Sequence, residues 1–422
     1  MKAAVMTLGC KVNQYESSVI IQKLIDEGFE IVDFETYADV YIVNTCTVTA
    51  VSDKKSRQAL RRAKKQNPNS IVVATGCYTE TSKDELLKID EIDIIAGNEE
   101  KTEIVSKVIE ALGDKALDIM NHPTNKYEYH GRTRANIKIE DGCNNFCSYC
   151  IIPYARGRVR SRKIDDILAE FNSLSKEGYK EIVITGIEVS SFGLDTGEKL
   201  IDLLSAINGA ANPYDIRIRL GSLEPRLITK DFVDKLAKLK HICPQYHLAL
   251  QSGCDETLKR MKRRYTTADF YNGVQMLRDS IPNVMFTTDI LVGFPGETEE
   301  EFNETVEFVK KIGFLKAHIF PYSIRKGTRA ASMENQIDKK TKEKRVKILD
   351  EISKEIRSNI LKEQIGKTHM VLFETEISKN VYEGYTENYI PVHVTSHSNL
   401  EGCLHSVKIT ESFDDFCIGN IE

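Results

Sequence analysis

Three thiols stand close together near the middle of the chain, Cys143-Asn144-Asn145-Phe146-Cys147-Ser148-Tyr149-Cys150, at C-x3-C-x2-C spacing. Thiolates hold soft metals and iron-sulfur clusters, and a [4Fe-4S] cube usually takes four of them. Three leave one iron open to an outside ligand. An amino acid with free amine and carboxylate, such as the methionine part of S-adenosylmethionine (SAM), is suited to chelate that iron. The competing readings are a zinc knuckle completed by a ligand elsewhere, or three cysteines of the core. The three-plus-two spacing with an aromatic before the last cysteine is far more restrictive than a lone C-x2-C pair.

Three further cysteines each follow an apolar run that reads as a strand: VMTLGC ends at Cys10, VYIVNTC at Cys46 and IVVATGC at Cys77. The C-terminal ends of strands in an open parallel sheet share one edge, where ligands gather, so thiols 36 and 31 residues apart in sequence can meet there. Gly9 and Gly76 would let the backbone turn sharply just before two of them. Taken alone, buried packing explains such cysteines equally well. Cys243, Cys254, Cys403 and Cys417 have no partner at motif spacing and read as packing residues. Ten cysteines in a chain without an export signal are not a disulfide framework.

The central signature resembles the radical SAM superfamily. That resemblance implies a [4Fe-4S] cluster on Cys143, Cys147 and Cys150 that cleaves SAM reductively to a 5'-deoxyadenosyl radical, with Tyr149 near the adenine. The segments Gly9 to Ser17, Asn44 to Val48 and Thr75 to Cys77 resemble the N-terminal domain of the methylthiotransferases, which implies a second [4Fe-4S] cluster on Cys10, Cys46 and Cys77. The likeness runs along the chain in one order: N-terminal domain, radical SAM barrel, small terminal barrel of the TRAM type. It implies that one SAM gives a methyl to sulfur on the N-terminal cluster while a second yields the radical, with both clusters facing one cavity and an electron donor such as flavodoxin or ferredoxin. The opening GCKVNQYES and the stretch from Cys150 to Ser161 are most similar to the branch acting on threonylcarbamoyladenosine beside the tRNA anticodon, so the implied partner is a tRNA anticodon stem-loop. Related branches act on isopentenyladenosine or on a ribosomal protein aspartate.

These groups need a scaffold. Residues 1–118 alternate short apolar runs with helical patterns: strands near Lys2 to Leu8, Val40 to Asn44 and Ile71 to Thr75, helices near Ser17 to Glu27 and Asp53 to Lys65. This is the pattern of an open parallel α/β sheet. Residues 119–133 read as a linker. Over 134–364, six apolar strands fit a partial (β/α)6 barrel: Ala135 to Ile139, Glu181 to Thr185, Ile216 to Leu220, Tyr246 to Leu250, Met285 to Val292 and Lys316 to Phe320. Asp338 to Gln364, with Ile348, Ile352, Ile356 and Ile360 at four-residue spacing, reads as a long amphipathic helix. Residues 365–422 carry short β-like runs that fit a small β-barrel. At the barrel strand ends, small residues lie beside polar ones, as approach to a nucleoside cofactor requires. Thr185 and Gly186 are two of these, while Glu224 and Gln251 also resemble family motif positions.

A formal net charge of -5 gives no global attraction to nucleic acid, so any RNA contact must come from local basic patches. Lys54, Lys55, Arg57, Arg61, Arg62, Lys64 and Lys65 lie within twelve residues free of acids, and most fall on one helical arc that includes Lys54, Arg57, Arg61 and Lys65. Arg156, Arg158 and Arg160 follow the central cysteines as a second candidate for phosphate contact. A solvated helix face is the plainer reading of such runs. Residues 366–422 hold three basic residues against nine acids, which argues against the terminal barrel as an electrostatic anchor. The start turns polar too soon for a signal peptide and no apolar stretch approaches the roughly 18 residues that cross a bilayer, so the expected location is cytoplasmic, without a membrane partner. Two other classes stay open: a radical SAM enzyme whose second cluster only relays electrons, and a nonenzymatic RNA-binding protein stabilised by zinc.

Overall fold

The computed structural model describes residues 1–113 and 133–422. The expected linker, Thr133 apart, and the boundary at 118 lie outside the described residues. The chain gathers into two compact units. One joins residues 1–113 with Gly142–Arg158 and Ser323–Ala331, and the other holds residues 133–141, Val159–Tyr322 and Ser332–Glu422.

In the first unit, β1 (Lys2–Thr7), β2 (Glu30–Ile31), β3 (Val40–Thr45), β4 (Ile71–Gly76) and β5 (Ile94–Ala96) form a parallel sheet in the order β2-β1-β3-β4-β5. All six residues of β3 are buried, as a central strand covered on both faces must be. One face packs Ile20, Leu24, Phe29 and Val108, and the other Tyr41, Leu60, Ala63 and Tyr78. The helix α1 (Lys11–Asp26) begins six residues earlier than its sequence pattern indicates, because Val12, Asn13, Glu16 and Ser17 are already buried against the sheet. The helix α2 (Ala50–Gln66) also starts earlier than Asp53: Thr49 caps it by accepting the Ser52 N–H at 3.1 Å. Ser56, Ala59, Leu60 and Ala63 form its buried face. The short β2 and β5 carry too few residues for the pattern to show.

The second unit holds β6 (Arg134–Lys138), β7 (Glu140–Asp141), β8 (Arg160–Ser161), β9 (Glu181–Thr185), β10 (Arg217–Leu220), β11 (Ser222–Leu223), β12 (Gln245–Leu248), β13 (Met285–Val292) and β14 (Lys316–Pro321). The expected partial barrel is two parallel sheets, β10-β9-β6 and β11-β12-β13-β14, with an isolated Ile218↔Ile242 bridge where they meet. Gly221 interrupts the strand between β10 and β11. The long helix runs Lys339–Lys362, capped by Asp338. Arg345, Leu349, Ser353 and Leu361 are its buried residues, while Ile348, Ile352 and Ile356 pack partly buried beside them.

Residues beyond it form a closed barrel, β15 (Thr368–Ser378), β16 (Val381–Thr386), β17 (Pro391–Thr395), β18 (Leu404–Ser412) and β19 (Cys417–Ile421), in the order β15-β16-β17-β19-β18. Buried ion pairs fasten it within this unit. Glu181 accepts from Arg217 at 2.5 Å and from Arg219 at 2.6 Å, and Arg134 pairs with both Glu181 and Glu374. Arg217 donates to the carbonyls of Met370 and Tyr385, and Arg219 to those of Thr386 and Glu387. Cys243, Cys254 and Cys417 are buried, as packing residues should be. Cys403 is not: it sits exposed in a turn, so the packing reading fails for it. Among the described residues no helix is long and apolar enough to cross a membrane.

Candidate functional site

The register of the first sheet dictates where three thiols go. Thr7 pairs with Asn44 and Thr45 with Gly76, so Cys10, Cys46 and Cys77 emerge at the same edge of three adjacent parallel strands. A Cβ on Gly9, whose φ is +101°, would stand 2.9 Å from Cys46 Sγ. A Cβ on Gly76, with φ +99°, would collide with Thr45 and Asn44. Burial raises the thiol pKa of both Cys46 and Cys77; Arg156 and Lys101 oppose this at Cys77, and Cys10 adds a smaller rise at both. Cys10 also occupies the N-cap position of the 16-residue α1.

Basic and polar groups surround this edge. Asn13 donates to the carbonyls of Leu8 and Thr45, which leaves its Oδ1 to receive Cys10 Sγ at 3.8 Å. Arg156, from the segment after the central cysteines, donates from Nε to Cys77 Sγ at 3.2 Å, from Nη2 to Asn13 Oδ1 at 2.6 Å and from Nη1 to Glu16 Oε1 at 2.9 Å. Lys101 also pairs with Glu16. Asn44 Oδ1 and Thr75 Oγ1 are buried at the same edge without a hydrogen-bond partner among the described residues. Three thiols, a cationic flank and orphaned polar atoms fit an anionic thiolate-held cluster.

The central triad lies in the same compact unit, on a loop from Gly142 to the helix Ile152–Arg156. Cys143, Cys147, Tyr149 and Cys150 are partly buried, and all ten cysteines of the chain are thiols. Phe146 adopts φ 47°, an uncommon conformation for an aromatic residue, and Arg158 lies over its ring at 4.5 Å. The Gly142 Cα is hemmed in by the Arg158 carbonyl, and Ala330 N–H donates to the Ser148 carbonyl at 2.7 Å, so the loop is held at its start and at its middle. Among the described residues no three His, Cys, Asp or Glu side chains are gathered as one metal ion would require. Thiolates on a four-iron cube bind separate irons and stand farther apart than ligands of a single zinc.

The strand ends of the second unit bring carboxyls together. Glu140 Oε1 accepts the Glu188 N–H at 2.7 Å, and a Cβ on Gly186 would collide with that oxygen, which explains glycine after Thr185. Glu140 Oε2 is buried and meets no partner among the described residues, and burial pushes this carboxyl up to about 9. Glu188 is pushed up to about 7, first by burial and then by the charge of Glu224. Glu224 is itself buried, with Arg226 at 2.9 Å and Arg263 at 3.9 Å. Gln251 holds φ 66° while its backbone bridges to Ile290, a strained position that the sequence pattern does not reveal. Neither Glu140 nor Glu188 stands out in the sequence, because single acids in loops carry no pattern.

Of the basic candidates, Lys54, Arg61 and Lys65 are exposed on α2, while Arg57 is half-buried against Tyr78 and Glu85. Lys55 and Arg62 flank a cleft of about 440 Å3 floored by Met6, Leu8 and Ala59. Arg158 and Arg160 are exposed. Arg156 is a correction: its side chain is fully buried, so it is not a phosphate contact.

A chain with an incomplete parallel barrel and a C-x3-C-x2-C loop is defined as a radical SAM enzyme, and residues 137–309 match the Radical SAM superfamily. That class implies a [4Fe-4S] cluster and SAM. Residues 2–97 match the Uncharacterized protein family UPF0004. The threonylcarbamoyladenosine tRNA methylthiotransferase MtaB of Bacillus subtilis (strain 168) is 39% identical, covering 96% of this chain and 93% of its own. The tRNA-2-methylthio-N(6)-dimethylallyladenosine synthase of Carboxydothermus hydrogenoformans is 35% identical, with 96% of each chain covered. The structure of the radical SAM methyltransferase TsrM from Kitasatospora setae, with cobalamin and a [4Fe-4S] cluster bound, shares the fold at a TM-score of 0.55 and 17% identity, covering 78% of this chain and 77% of its own. This chain belongs to the radical SAM methylthiotransferase family, and it is a transferase.

Proposed function

We propose that this protein installs a methylthio group on N6-threonylcarbamoyladenosine beside the tRNA anticodon, with SAM and two [4Fe-4S] clusters. The observation that carries this reading is the convergence of Cys10, Cys46 and Cys77 at one sheet edge, in the same compact unit as Cys143, Cys147 and Cys150. When bound, the two clusters and SAM supply the one-electron chemistry and the sulfur to be transferred. The chain's own part is to hold each triad through three thiolates and so leave one iron open in each. Thr185, Gly186, Glu224, Gln251 and Tyr149 are proposed to receive SAM. Lys54, Arg61, Lys65, Arg158 and Arg160 are proposed to meet the phosphates of the anticodon stem-loop, with a flavodoxin or ferredoxin as electron source. Segments 1–118, 134–364 and 365–422 are proposed as the cluster-bearing, SAM-cleaving and terminal-barrel domains.

The substrate assignment draws support from the MtaB relatives at 37–39% identity, against 33–35% for the dimethylallyladenosine synthases. Mass spectrometry of tRNA nucleosides from a deletion strain carrying this chain tests it. Recovery of the 2-methylthio derivative of threonylcarbamoyladenosine is expected; recovery of the isopentenyladenosine product, or a methylthio group on a ribosomal protein, would redirect the assignment. Metal analysis after anaerobic reconstitution is expected to find about eight irons and no zinc per chain.

A further inference from the structure

We infer that Arg156 is a positioning residue that sets the reduction potential of the cluster on Cys10, Cys46 and Cys77, by donating a hydrogen bond to the sulfur of Cys77; this rests on the two-cluster reading above. The geometry leaves the guanidinium little choice. One of its nitrogens is held by Asn13 Oδ1 at 2.6 Å and by Glu16 Oε2 at 3.1 Å, and another by Glu16 Oε1 at 2.9 Å. With the planar fork fixed on that side, Nε points at Cys77 Sγ at 3.2 Å. Asn13 is anchored by the Leu8 and Thr45 carbonyls and also receives Cys10 Sγ, so the same clamp orients two of the three sulfur ligands. Lys101 and Arg156 place two cations on the one carboxylate of Glu16 inside the fold, a balance that favours negative charge on the neighbouring sulfur.

A hydrogen bond and a positive charge at a ligand sulfur stabilise the reduced cluster, which carries one more negative charge, and so raise its potential. Arg156 also comes six residues after Cys150, on the helix Ile152–Arg156 that ends the central-cysteine loop. The residue that tunes one centre therefore fixes the segment bearing the ligands of the other. Its burial accounts for an arginine that the sequence presents as one of a basic run.

The test uses the full-length chain with Cys143, Cys147 and Cys150 replaced by serine, reconstituted anaerobically so that the N-terminal triad alone carries a cluster. About four irons per chain are expected; none would sink the two-cluster reading itself. In that background, redox titrations followed by electron paramagnetic resonance compare Arg156 with Arg156→Lys and Arg156→Gln. The midpoint is expected to move to more negative potential in both, farther in the glutamine variant, which lacks the charge as well as the fork. An unchanged midpoint in either iron-loaded variant overturns the inference while leaving the cluster in place, since a merely structural role lowers iron content or thermal stability without moving the potential. Should the variants fail to hold iron, the protein with native Arg156 decides: electron-nuclear double resonance of its reduced cluster in D2O must show an exchangeable deuteron coupled to the cluster, and the absence of one overturns the inference.

Discussion

Replacing Glu140 by glutamine isolates the effect of one buried carboxyl on stability. Glu140 is 1% exposed, and its usual value of 4.5 is pushed up to about 9, chiefly by burial. The folded protein therefore keeps a proton there at neutral pH that the unfolded chain has released. Its contribution is most favourable below the unfolded value and is lost as pH rises toward the folded one, at about 1.4 kcal/mol per pH unit. Between about pH 5.5 and about pH 7.5 the wild type should lose about 2.7 kcal/mol from this group alone. Glutamine keeps an oxygen to accept the Glu188 N–H and has no proton to lose, so the variant escapes that term. Calorimetry of both proteins across this range reads the difference, in which the titrating groups remote from Glu140 cancel, with neighbouring Glu188 the one coupled group that titrates in the same range. The variant's Tm advantage should widen by roughly 3 to 5 °C from the acid to the alkaline end. A gap that stays constant with pH would show Glu140 ionised in the fold and refute the burial argument.

Gly9→Ala pushes a methyl onto Cys46 Sγ at a backbone angle that favours glycine, so reconstituted iron should fall from about eight toward about four per chain; undiminished iron would separate that glycine from the centre. Glu181→Gln leaves three buried guanidiniums without their shared carboxylate and should cost about 3–5 kcal/mol, read as a lowered Tm of the unit that includes the terminal barrel. A Tm within error of wild type would mean that water or barrel carbonyls already satisfy those arginines. Alanine at Lys54, Arg61 or Lys65 should weaken tRNA binding and flatten the dependence of log Kd on log salt by about one per contact removed; an unaltered slope would leave α2 as a solvated face.

The terminal barrel bears on where RNA is held. Its few basic residues argue against phosphate anchoring, and Arg134, Arg217 and Arg219 are spent on Glu181, Glu374 and barrel carbonyls within the fold. Tyr385 and Tyr389 stack at 5.0 Å with Arg134 beside both rings, so the contact is a packed aromatic and guanidinium seam. Lys54, Arg61 and Lys65 of α2, with Arg158 and Arg160, stay exposed, and these are the groups proposed above for the RNA backbone.

Local features of the sequence determined a good deal by themselves. Period-two and apolar runs placed β9 and β13 at their true bounds, and β1, β3 and β4 to within a residue, because central parallel strands must be continuously apolar. Cysteines directly after those runs had to meet at one edge, since strand polarity sends all their C-termini the same way. The basic arc read along α2 does stay outward at Lys54, Arg61 and Lys65, with Ser56, Ala59, Leu60 and Ala63 buried on the other side. Tertiary structure alone decided which charges are inside. Nothing in a run of alternating arginines separates Arg156, locked on Cys77, from Arg158 and Arg160 in solvent, because burial depends on partners more than seventy residues away. The same holds for Glu140, whose altered proton affinity needs the Gly186 turn to close over it. Only the folded chain shows the central-cysteine loop packing with the N-terminal sheet, a grouping set by contacts between segments that the linear order keeps apart.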